Sequence, residues 1–167
     1  MNLNPESNSE QNSELSEYTR QLISDTKKIL DNTFSFEKER TEFDESEIAD
    51  EAIIRSFIRT CAVFALSEMD MEERKNFIEQ KPDALAIIKL ALEKSPLSEE
   101  ERKIMEKEFE KISQNDLTSP TDMLFKLNLL NSESLMRRFK QHLYKSIAQN
   151  SENSEAYTYL HLTDEAH

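Results

Sequence analysis

The chain has 167 residues, with 21 Lys and Arg against 34 Asp and Glu, a formal charge of −13, and it contains no glycine, no tryptophan, one cysteine, three histidines and four prolines. That length suits one compact domain. The lack of glycine removes the P-loop, the GxGxxG dinucleotide fingerprint, the kinase glycine-rich loop, the GxSxG nucleophile elbow and the EF-hand loop, all of which need close backbone approach or positive φ.

Residues 1–12, rich in Asn, Ser, Glu and Gln, hold too little apolar surface to offset the entropy of ordering and are expected as a disordered, flexible polar N-terminus. From Ser13 to Asn32, Leu15, Tyr18, Leu22, Ile23, Ile29 and Leu30 recur at helical spacing. The period is lost over 33–43, where Phe34, Phe36 and Phe43 stand among charges and are expected to pin a loop onto the core. Asp44 with Glu47 fits an N-terminal cap.

The helix that follows, about 45–67, has two characters. Glu51, Arg55 and Arg59 fall at i, i+4 and i+8, and read as a salt-bridge ladder on a wet face. Thr60 to Leu66 carries no charge on any side, the mark of a helix enclosed by neighbours. This is the expected central helix, with Ile53, Ile54, Phe57, Ile58, Cys61, Phe64 and Leu66 in the core.

Asp70 with Glu73 opens a short helix through Gln80 that presents Met71, Phe77 and Ile78. Pro82 ends it and is expected in the first turn of a helix over 83–94. Ser98 with Glu101, preceded by Leu97, forms a capping box with a staple residue, and its helix runs to about Ser113 with Ile104, Met105, Phe109 and Ile112 inward. Ser119-Pro120-Thr121-Asp122 repeats the cap logic before Met123, Leu124, Leu127 and Leu130. Asn131-Ser132 breaks and recaps a helix over 133–149 with the stripe Leu135, Met136, Phe139, Leu143 and Ile147. Ser151 to Glu155 reads as a polar spacer. Tyr157 to Leu162 fits a strand, a helical turn or a docked extended tail alike.

The expected fold is therefore all-α, a compact bundle of about six or seven helices around the buried helix 45–67. The single helical domain spans 13–149, and 150–167 is a spacer with a docked or flexible tail.

Chemistry-bearing constellations are sparse. His142, His161 and His167 show no metal-ligand spacing, so neither a metal nor a cofactor is expected. Cys61, inside the apolar run 61–66, reads as a small buried hydrophobe. Glu108 falls between Ile104, Met105 and Ile112, where a carboxylate held against apolar side chains could serve as a general acid. The alternative is a rim position paired with Lys111.

Charge is unevenly spread. Residues 1–52 hold 5 basic and 14 acidic side chains, a net of −9, whereas 123–150 hold Lys126, Arg137, Arg138, Lys140 and Lys145 against Glu133 alone, a net of +4. Three readings of the basic helix compete: a solvated face paired internally with the acidic N-terminal segment, a docking surface for an acidic helix of another protein, and a nucleic-acid contact. The last is disfavoured because the whole-chain field repels phosphate. Arg137, Arg138, Lys140 and Lys145 are the candidate partner-binding residues.

The sequence thus points to a non-enzymatic protein–protein interaction module, an adaptor or a regulatory or secretion-accessory protein, acting through charged helix faces. A homo-oligomer is compatible with it. The alternatives are a secreted effector of a host-associated microbe and an acidic mimic of a basic or nucleic-acid-binding partner. The longest apolar run, six residues, is too short to cross a bilayer. No secretory signal pattern opens the chain. A cytoplasmic location is expected, with signal-less export as the alternative.

Overall fold

The computed structural model describes residues 15–33, 45–112, 116, 119–131 and 134–165. Among the described residues there are eight helices and no strand: α1 (Glu17–Thr33), α2 (Glu45–Ser67), α3 (Met71–Glu79), α4 (Ala84–Lys94), α5 (Glu99–Glu110), α6 (Pro120–Asn131), α7 (Ser134–Gln149) and α8 (Ser151–Glu165). They form a compact all-α bundle. The polar segment 1–12, the three phenylalanines of 33–43, Asp44 and Ser132 lie outside the described residues.

Local chemistry sets the helix ends. Asp70 and Ser98 each close a capping box, their side chains accepting from the backbone N–H of Glu73 and Glu101 while those glutamates accept from the cap N–H in return. Ser119 accepts at 3.3 Å from the N–H of Asp122, with Pro120 as the first helical residue. The cap of α4 is Asp83, which accepts from Ala86 at 2.9 Å, so Pro82 stands just before the cap and not inside the first turn.

The uncharged half of α2 is the axis of the bundle. Every residue from Phe57 to Leu66 is buried, and α1, α4, α6, α7 and α8 all pack on α2. A helix surrounded on that many sides cannot carry a polar face, which is why its composition is apolar all round. Buried threonines there are satisfied locally: Thr60 donates to the carbonyl of Ser56 at 2.9 Å, and Thr26 of α1 to that of Leu22 at 2.7 Å. Phe109 of α5 and Phe139 of α7 are among the largest fully enclosed side chains.

Four expectations of burial or exposure are corrected. Ile53 is not core but 56 % exposed, because the first half of α2 is covered less completely than the second. Ile104 is 48 % exposed: the inward face of α5 is Met105, Phe109 and Ile112, one residue and therefore about 100° of helix away. Met71 is exposed, while Phe77 and Ile78 pack against the core. The Glu51–Arg55–Arg59 ladder does not face water, since Glu51 is 1 % and Arg59 3 % exposed.

Residues 151–155 are the start of α8, not a spacer. Asn150 opens that helix, its Oδ1 accepting from the N–H of Glu152 at 3.0 Å and of Asn153 at 3.2 Å. Tyr157 to Leu162 continue it, and it packs on α1, α2 and α7 with Ala156 and Leu160 inward.

Candidate interaction surface

α7 is amphipathic because its apolar residues keep helical spacing. Met136, Phe139, Leu143 and Ile147 are buried, and that registration turns Arg137, Arg138, Gln141, Tyr144 and Lys145 outward. No Asp or Glu occurs between Ser134 and Gln149.

The four candidate cations have three different environments. Arg138 Nη1 lies 2.6 Å from Oε2 of Glu101, an ion pair joining α7 to the capping box of α5. The hydrogen bond from Arg138, helped by the one from the Ser98 backbone, holds the Glu101 carboxyl below the ordinary glutamate range. Lys140 is half-buried, its Nζ 5.3 Å from the ring centroid of Phe57, and burial pushes its ammonium pKa down. Arg137 and Lys145 are exposed, with no ion pair to either among the described residues. Two of the four cations are thus engaged by the fold, through Glu101 of α5 and Phe57 of α2.

Lys145 also borders a cavity of about 390 Å³ where α7 meets the end of α2 and the α4–α5 junction, lined by Phe64, Glu68, Lys94, Pro96, His142, Ser146 and Gln149 besides. Lys94, Glu68 and His142 carry no spacing signal that would place them beside Lys145. Their convergence depends on where α7 lies against α2 and α4, which is a tertiary fact.

Glu108 and Lys111 form the rim pair, Nζ to Oε1 3.0 Å, with the ammonium largely exposed. Cys61 is fully enclosed, and burial pushes its thiol pKa far up. Along the seam between α2 and α8, Arg59 Nη1 is 3.3 Å from Nδ1 of His161, and the His161 ring stacks on Tyr157 at 6.4 Å between centroids. Among the described residues no group of three His, Cys, Asp or Glu is placed to hold a metal ion, and no helix is long and apolar enough to cross a membrane.

Comparison with protein-family models, with curated proteins and with solved structures finds no match for the chain. The functional reading therefore stands on the surface itself.

Proposed function

We propose that the protein is a non-enzymatic interaction module that docks an acidic segment of another protein along the outward face of α7. One observation carries this reading. In a chain of net charge −13, a sixteen-residue helix has four Lys and Arg, no acid, and two of those cations, Arg137 and Lys145, exposed and outside the ion pairs among the described residues. Of the other two, Arg138 is paired with Glu101 and Lys140 lies over Phe57. Screening limits the reach of the acidic remainder to a Debye length of about 8 Å at physiological salt, so the local sign governs contact.

Affinity capture from the source cells tests it, with the full chain compared against R137E/K145E. The expected result is a partner retained at low salt, released as salt rises, and lost with the double reversal. A captured set unaffected by both salt and reversal overturns the reading.

A further inference from the structure

The cavity beside Lys145 has a composition unlike the rest of the α7 face. Lys94 approaches it from the last turn of α4 and Lys145 from α7; His142, Ser146 and Gln149 add hydrogen-bonding groups. Phe64 and Pro96 supply apolar wall, and Glu68 is the single carboxylate in the lining. Lys94 is held 3.6 Å from Glu73, and both of those side chains retain solvent access. Five donor-bearing side chains, Lys94, Lys145, His142, Ser146 and Gln149, against the one carboxylate of the lining make a local excess of hydrogen-bond donors around a partly apolar hollow.

Resting on the docking reading above, we propose that this cavity is the anchor pocket of the α7 surface and that it takes an Asp or Glu carboxylate together with an adjoining apolar side chain from the partner's acidic segment. The carboxylate meets Lys145, Lys94 and the His142 ring, and the apolar group lies against Pro96 and Phe64. Lysine serves here as a point charge that needs no planar fork, which suits a single carboxylate arriving on a mobile segment. The geometry favours a polypeptide over a free organic acid. Arg137 and Lys145 are eight residues apart on one helix, about 12 Å at 1.5 Å per residue, so one short segment reaches the exposed cation at one end and the pocket at the other. Glu68 sets selectivity: it opposes a second negative charge inside the pocket and so favours a carboxylate flanked by an apolar residue over a run of acids.

Fluorescence anisotropy with the full chain tests this, using a labelled twelve-residue peptide in which Glu and Leu alternate, the same peptide with Gln for Glu, and phenylacetate as competitor. The Glu peptide is expected to bind and the Gln peptide not. K145E should weaken binding by about tenfold, a loss of roughly 1.4 kcal/mol; E68Q should tighten it, and R137E should weaken it less than K145E. These positions are exposed, and thermal melts of each variant confirm that the fold is kept. If R137E weakens the peptide while K145E and E68Q leave it unchanged, the α7 face docks acidic segments without this pocket, and the anchor assignment fails alone. If both peptides behave alike in every variant, the anchor assignment and the docking reading fail together. Phenylacetate displacing the peptide at equal concentration would show a site for free organic acids and overturn the polypeptide assignment.

Discussion

Arg74 of α3 and Asp25 of α1 form a buried ion pair, Nη1 to Oδ2 3.5 Å, with each side chain about 95 % enclosed. The same guanidinium donates through Nε to the carbonyl of Leu66 at 2.8 Å and lies over the ring of Tyr18 at 5.3 Å. Asp25 in turn accepts from Gln21 at 2.9 Å. One side chain therefore ties α1, the end of α2 and α3 together. Removing one partner of such a pair leaves a charge in low dielectric, so R74A should lose about 3–5 kcal/mol of unfolding free energy, measured by urea denaturation. R74M/D25L, which removes both charges, should recover much of that loss. Equal destabilisation by the single and the double variant would disprove the linkage.

The Arg138–Glu101 bond makes a pH-dependent contribution. Hydrogen bonding from Arg138 lowers the Glu101 pKa in the folded state. A lowered carboxylate pKa adds stability that is present above the unfolded value and lost as pH falls through the folded one. NMR titration should find Glu101 titrating at lower pH than an ordinary glutamate. R138A should return the midpoint toward the ordinary value and remove that part of the acid dependence of stability. A midpoint unchanged by R138A would show that the pair has no hold on Glu101.

Cys61 should be inert in the native protein. The thiol has no exposed surface, and burial opposes the thiolate that reacts with alkylating and disulfide reagents. Labelling with a thiol-specific reagent should proceed only through opening, so its rate should rise with urea in step with global unfolding. Fast stoichiometric labelling in native buffer is the contrary result.

Lys81, which follows α3, has φ of 51° and is the one non-glycine residue in the left-handed region among those described. A chain without glycine has only side-chain-bearing residues for such a helix end. Their left-handed conformation costs about 1–2 kcal/mol, against which glycine loses about 0.5–1 kcal/mol of chain entropy on folding. K81G should therefore raise stability by up to about 1 kcal/mol, read from the denaturation midpoint. A lower midpoint would show that the lysine side chain is itself needed there.

Much of this fold is legible from local pattern. The boxes at Asp70/Glu73 and Ser98/Glu101 and the cap at Ser119 need only residues three apart. The stripe of α7 and the uncharged half of α2 announce which face turns inward and which helix is enclosed. What fails is burial decided by a distant neighbour. Glu51 and Arg59 have the spacing of a solvated ladder, but α8 lies across α2 there and brings His161 to Arg59. α8 itself has no legible stripe, since its inward residues are Asn153, Ala156 and Leu160 and its exposed ones include Tyr159 and Leu162. On α5, Ile104 has a spacing from the buried Ile112 that suggests one shared row, but Met105 and Phe109 define the inner one and leave Ile104 exposed. Of the basic residues, the sequence marks the helix they share. It does not separate Arg138 and Lys140, which are engaged by Glu101 and Phe57, from Arg137 and Lys145, which are exposed.

The pairing of α1 with α8 brings the start and the finish of the helical order side by side, with Tyr18 donating to Oδ1 of Asn153 at 3.2 Å across 135 positions. The seam can close only after the helices between have been translated, and a pairing of such sequence separation incurs its loop-closure entropy before its contacts reward it, so it forms later than the local helix pairs around α2.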